Sequence, residues 1–175
     1  MADIPVHIKE LPREKLEELL LIYAKNEIAL DGHYFQGIER RNGMDQAMDI
    51  DVEVWARFTE TEARRIKKFL ELPEHPGVEG LKEAFKFRFY GVINNGEILT
   101  PDDETLVYRT TRCIVQAARD QKGLPWHPCK PVGVAEWGNF AKIIDDRFEL
   151  VSCSCYPEKT DDTCACSWTF RLKKD

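Results

Sequence analysis

The sequence has no apolar run approaching the ~20 residues a membrane-spanning helix needs, and its first residues lack the basic stretch and apolar core of a secretory signal. The expected compartment is therefore the cytosol. Basic clusters are scarce. Arg40-Arg41 and Arg64-Arg65-Ile66-Lys67-Lys68 are the ones present, and a formal charge of −6 argues against a nucleic-acid surface, which requires clustered Lys and Arg. No internal repeat or low-complexity tract occurs. Neither the Glu-x-x-His pattern of di-iron bundles (position 65 is Arg65) nor a paired Cys-x-x-Cys motif is found. In a reducing compartment the six cysteines are also poor material for a disulfide framework.

What is present suits one domain spanning residues 1–175, with a helical half over 1–84 and a sheet-rich, cysteine-containing half over 85–175. A chain of this length buries about two thirds of its extended surface. Leu16, Leu20, Tyr23, Leu30 and Tyr34 recur at helical spacing after Pro12 and predict an amphipathic helix towards Arg41, ended by Asn42-Gly43. Trp55, Phe58, Ile66 and Phe69 predict a second helix from about 52 to 70, with Asp51 or Thr59 as its cap. Phe85, Phe87 and Phe89 alternate with Lys86 and Arg88, which predicts a strand. Segments 91–99 and 105–115 predict a meander, 134–144 a helix, and 148–155 with 164–172 an antiparallel hairpin. Helices first and strands later predict an α+β fold, the N-terminal helices packing on a mostly antiparallel C-terminal sheet.

All six cysteines lie in the C-terminal third-to-half of the chain, two pairs of them as Cys-x-Cys. Strand alternation puts each pair on one face, and a symmetric hairpin register sets Cys155 opposite Cys164 and Cys153 opposite Cys166, with Cβ atoms ~5 Å apart. Cys166 shares parity with Trp168 and Phe170, so that face turns to the core. Cys129 follows Pro128 in a Pro-rich loop, and Cys113 sits on the preceding strand. Thiolates from a hairpin and a rigid loop suit a tetrahedral metal, zinc above all, yet cysteines are also often simply buried. His127, two residues before Cys129, can ligate a metal or activate the thiol. Glu27 and Glu62 fall inside the apolar helical stripes and are expected to face inward, paired with Arg57, Arg64 or Arg65 or else acting on a ligand. The aromatic residues are core or line a cavity for a flat, apolar molecule.

The runs Tyr23-Ala24-Lys25-Asn26, Asp31-Gly32, Trp55-Ala56-Arg57-Phe58-Thr59, Glu62 to Lys67, Lys122-Gly123-Leu124-Pro125, Pro128-Cys129-Lys130, Val132-Gly133, Glu136 and Cys166-Ser167-Trp168-Thr169-Phe170 resemble an uncharacterised family of prokaryotic cytosolic proteins. In its C-terminal half that family is similar to L-2-amino-thiazoline-4-carboxylic acid hydrolase-like domains and to vinyl-reductase-type small-molecule-binding domains. The second likeness implies zinc held by Cys113, Cys129, Cys155 and Cys166 beside a small-molecule pocket. The first implies opening of a cyclic C–N bond, with Cys129 or a metal-bound water attacking and Glu62 or Glu136 handling protons.

Overall fold

The computed structural model describes residues 3–174, and of Asn95 only the backbone. The chain runs through α1 (Val6–Lys9), α2 (Arg13–Asn42), α3 (Met44–Phe69), α4 (Gly77–Lys86), α5 (Phe89–Ile93), β1 (Asn95–Asp102), β2 (Thr105–Arg112), α6 (Ile114–Gln121), α7 (Lys130–Ile144), β3 (Phe148–Ser154) and β4 (Cys166–Leu172). The strands form one antiparallel sheet in the order β1-β2-β4-β3. The fold is α+β, as the order of patterns in the sequence predicts. Among the described residues no helix is long and apolar enough to cross a membrane.

Proline starts α2 without costing a hydrogen bond, and Gly43, with φ of 87°, makes the turn between α2 and α3 that a side chain disfavours. α3 begins at Met44, well before the expected start near 52. Asp51 and Thr59 are therefore interior residues of that helix, both buried, and not caps.

α3 packs along α7, and α7 lies on the sheet. The main core sits there. Phe85 stacks on Phe140 at 5.3 Å between ring centres and meets Trp137, Tyr108 and Phe170 at 5.4 Å each. A second apolar cluster of Phe35, Ala47, Met48, Trp55 and Val132 joins α2, α3 and the start of α7.

Three sequence expectations are overturned. The Phe85–Phe89 strand does not form: Leu81, Ala84 and Phe85 are buried at helical spacing in α4, Phe87 is exposed, and Arg88 is wholly buried at the break between α4 and α5. Packing of the α4 face onto Phe140 and Phe170 outweighs a three-residue alternation. The α2 stripe does not face a core either. Leu16, Leu20, Tyr23, Leu30 and Tyr34 are exposed, and the buried residues of the helix are Ala24 and Phe35. Finally, β2 stops at Arg112, and Cys113 is the N-cap of α6 rather than a strand residue.

Arg88 ties the layers together. Its Nε donates to Glu62 Oε2 of α3 at 2.9 Å and its Nη2 to Glu136 Oε1 of α7 at 2.6 Å. The guanidinium lies 4.5 Å from the Trp137 ring centre and 4.7 Å from that of Phe140. Glu62 thus faces inward as expected, but its cation is Arg88 and not Arg57, Arg64 or Arg65. Replacing Arg88 with Met leaves two buried carboxylates without their cation, so Arg88→Met should cost about 3–5 kcal/mol in urea unfolding at neutral pH. A loss below about 1 kcal/mol would show that the ion cluster is not holding α3 to α7.

Candidate functional site

A cavity of about 390 Å³ lies between α2, α3, α6, α7 and the ends of β3 and β4. That volume suits a small organic molecule. Phe35, Trp55, Tyr90, Trp137 and Trp168 give it apolar walls. Its polar wall is unusual in composition: four thiols, two imidazoles and three carboxyls, from Cys113, Cys129, Cys155, Cys166, His33, His127, Asp31, Asp51 and Glu136.

The thiols arrive from three directions. Cys129 is the N-cap of α7, placed by the Pro125–Pro128 loop; Cys113 is the N-cap of α6; Cys155 and Cys166 end β3 and begin β4. A register different from the expected one brings the last two here. Cys153 pairs with Trp168, and Cys166 pairs across the other edge with Thr110, following a bulge between Leu150 and Ser152. Cys155 leaves the ladder to bridge with Glu158. The four hairpin thiols therefore do not share one patch. Cys153 and Cys164 lie outside the cavity lining, and Cys164 donates to Asp161 Oδ2 at 3.4 Å.

The Sγ atoms of Cys129 and Cys155 are 3.4 Å apart. Cys155 engages Cys166 as well, although no three donor atoms among these thiols and His127 lie all within 4.8 Å of one another. Its shared proton divides their acidities. The hydrogen bond from Cys155, helped against burial by His127, brings Cys129 down to about 5. Cys166 is lowered too, again chiefly by Cys155, whereas Cys155 itself is driven up by the two neighbours it serves. Burial pushes the Cys113 thiol up to about 11. Two of these sulfurs are thus made more acidic, and one acts as donor.

His127 is buried, and its Nε2 lies 3.1 Å from Asp51 Oδ2. Burial opposes the imidazolium, but Asp51 and Cys129 outweigh it and raise His127 to about 9. Gln116 of α6 holds the residue from behind: its Oε1 accepts from His127 N at 3.0 Å and its Nε2 donates to His127 O at 2.7 Å. The same Nε2 reaches Cys129 Sγ at 3.7 Å. Phe35 meets the imidazole edge-on at 4.5 Å. Arg119, which also bounds the cavity, is neutralised by Glu39 through bonds of 2.9 and 2.6 Å.

The model of a family of unknown function, DUF6125, matches residues 9–172. The chain belongs to DUF6125. No curated protein and no solved structure matches it. Within this DUF6125 chain the structure gathers Cys113, Cys129, Cys155, Cys166, His127 and Glu136 around one cavity. Glu62 stands behind that wall, bound to Arg88, and Glu27 is exposed on α2 outside the lining. Glu27 follows the stripe that fails to bury, which is why its inward placement fails with it.

Asp51, Asp31 and Gln116 are pocket residues that the sequence pattern did not single out as a set. Asp51 had a readable signal, because Asp51, Trp55, Glu62 and Ile66 lie on one buried line of α3. Gln116 had none. Among the described residues, three potential ligand side chains whose donor atoms lie within 4.8 Å of one another occur at His75, Asp145 and Asp146. That group is largely solvated, and Asp145 is already held by Arg147 at 2.9 Å and by the Gly77 N–H at 3.0 Å.

Two pocket acids titrate high. Burial and the neighbouring Asp51 push Asp31 up to about 6, and burial pushes Glu136 up to about 7 despite Arg88. A carboxyl whose pKa is higher folded than unfolded stabilises fully below its unfolded value and loses that contribution as pH rises through the folded one. These two groups should therefore make the fold progressively less stable as pH rises from 3.8 to about 7. Asp31→Asn should flatten the lower part of that slope in unfolding curves taken across the range; an unchanged slope would show that Asp31 is solvated in the folded state.

Proposed function

We propose that this chain is a small-molecule-binding domain whose cavity holds one soft metal ion, zinc by the chemistry of its donors, on Cys129, Cys155 and Cys166. The fourth corner lies between Cys113 and His127. The observation that carries the reading is the 3.4 Å separation of Cys129 and Cys155 at the end of a cavity where a third thiol also meets Cys155. It far exceeds the ~2.05 Å of a disulfide. It approaches the ~3.8 Å between sulfurs that share a tetrahedral zinc with Zn–S bonds of ~2.3 Å.

Electrostatics agree with that assignment. Hydrogen bonding from Cys155 makes Cys129 and Cys166 more acidic, towards the thiolate form a metal takes. A bound ion replaces the shared proton and draws the flanking sulfurs in about Cys155. The aromatic walls beside it accept a flat or apolar body, while Asp31 and Asp51 favour a ligand with donors or positive charge.

A second reading has its own support. Asp51, His127 and Cys129 follow one another as orienter, base and thiol, with Cys129 at the start of the 15-residue helix α7. That arrangement suits a thiolate nucleophile, and a hydrolase of small cyclic C–N compounds is the corresponding activity. Glu136 is the pocket carboxyl placed for proton handling, whereas Glu62 is committed to Arg88.

Metal analysis separates the two. Protein purified without chelator should carry about one zinc per chain, protect its pocket thiols from alkylation, and lose both properties in Cys155→Ser. Metal-free protein whose Cys129 alone reacts rapidly with iodoacetamide at pH 6 would instead favour the nucleophile. Metal-free protein with uniformly unreactive thiols would sink both readings and leave the cysteines as packing.

A further inference from the structure

His127 is built into this cavity more firmly than a loop residue needs to be. Its backbone is clamped in both directions by the Gln116 side chain, and Phe35 packs against the ring. Prolines stand two residues before it and one after. Its Nε2 is taken by Asp51 at 3.1 Å. With 7% of the residue exposed, its Nδ1 is buried and has no hydrogen bond of good geometry, while the ring interacts with the neighbouring Cys129 thiol. Leaving such an atom unpaired costs about 1–3 kcal/mol. Two contacts hold the ring, from Asp51 and Phe35, two from Gln116 hold its backbone, and one ring nitrogen is still left free for a ligand.

A carboxylate on one ring nitrogen and a metal on the other is the usual environment of a ligating histidine, because the carboxylate sets the tautomer and aims the ring. We propose that His127, through Nδ1, is the fourth ligand of the metal centre, that Asp51 is its positioning residue, and that Cys113 stays outside the coordination sphere as a thiol of the cavity wall. This rests on the metal reading above and deepens it.

Charge and geometry favour His127 over Cys113. Zinc with three thiolates and an imidazole carries about one net negative charge, and with four thiolates about two. The cavity wall already carries Asp31, Asp51 and Glu136; of its cations, Arg119 is neutralised by Glu39, and Lys122 is exposed and bonds to Gln36. The less charged centre fits better. Cys129, Cys155 and Cys166 form a chain of neighbouring sulfurs, while Cys113, at the start of α6, makes no hydrogen bond to any of them. Cys113 then remains a free thiol facing whatever enters the cavity.

X-ray absorption on the zinc-loaded full-length chain tests the assignment directly. A shell of three sulfurs and one nitrogen with imidazole outer-shell scattering is expected, and a pure four-sulfur shell would overturn it while leaving the metal reading intact. Protein that binds no zinc would overturn both. In competition titrations with a zinc chelator, Cys113→Ser should bind within about twofold of the parent, and Asp51→Asn should bind about 10- to 100-fold more weakly at a temperature where its metal-free form is still folded. Loss of zinc in Cys113→Ser but not in His127→Gln would also defeat the assignment. Should His127→Gln fail to fold, the absorption spectrum of the parent decides.

Discussion

The buried guanidinium of Arg88 is the constraint on which the arrangement depends. One cation sits between two carboxylates from different helices, with aromatic faces on its flanks and no exposure to solvent. Desolvating three charged groups is expensive, and the cost is offset only when the geometry is complete. The cluster therefore fixes α3 against α7. It also fixes the cavity, because Asp51 and Trp55 come from the same face of α3, and Cys129, Val132 and Glu136 from the start of α7. Burial keeps the proton affinity of Glu136 high at the edge of the cavity, even beside the Arg88 cation.

From that anchor the thiol site follows by short steps. α7 starts at Lys130, so its N-cap Cys129 is carried to the cavity, and Lys130 N donates to Tyr156 O at 3.0 Å. That backbone bond ties the loop after β3 to the head of α7 and sets Cys155 beside Cys129. Gly133, one turn along, has no side chain because the Trp168 ring occupies the space: a Cβ there would lie 2.3 Å from the indole. The close approach of α7 to β4 that this glycine permits brings Cys166 into the same wall.

Much of this was legible in order and kind, less so in partnership. The α+β class, the boundaries of α2 near Pro12 and Asn42-Gly43, the β1–β2 meander and the C-terminal hairpin all follow from punctuation and periodicity. Cys166 inward with Trp168 and Phe170 follows from strand parity. The false strand at Phe85–Phe89 and the exposed stripe of α2 fail for a common reason: an apolar pattern states that a face can be buried, not that a partner exists to bury it. The hairpin register is already one residue off at Phe148↔Leu172, and the bulge between Leu150 and Ser152 shifts it by one more.

By itself the sequence determined which residue types are available and where the chain can turn: six thiols gathered late, a histidine between prolines, carboxylates on helical stripes. Those are properties of neighbours along the chain, written in spacing of 2 and ~3.6 residues. Tertiary structure decided which of them meet. Cys113, Cys129, Cys155 and Cys166 reach one cavity while Cys153 and Cys164 do not, Asp51 finds His127 across 76 positions, and Glu62 finds Arg88 in place of the arginines beside it. Such contacts depend on helix packing and strand register over long separations, where no local periodicity carries information and only the closing of the core selects the partner.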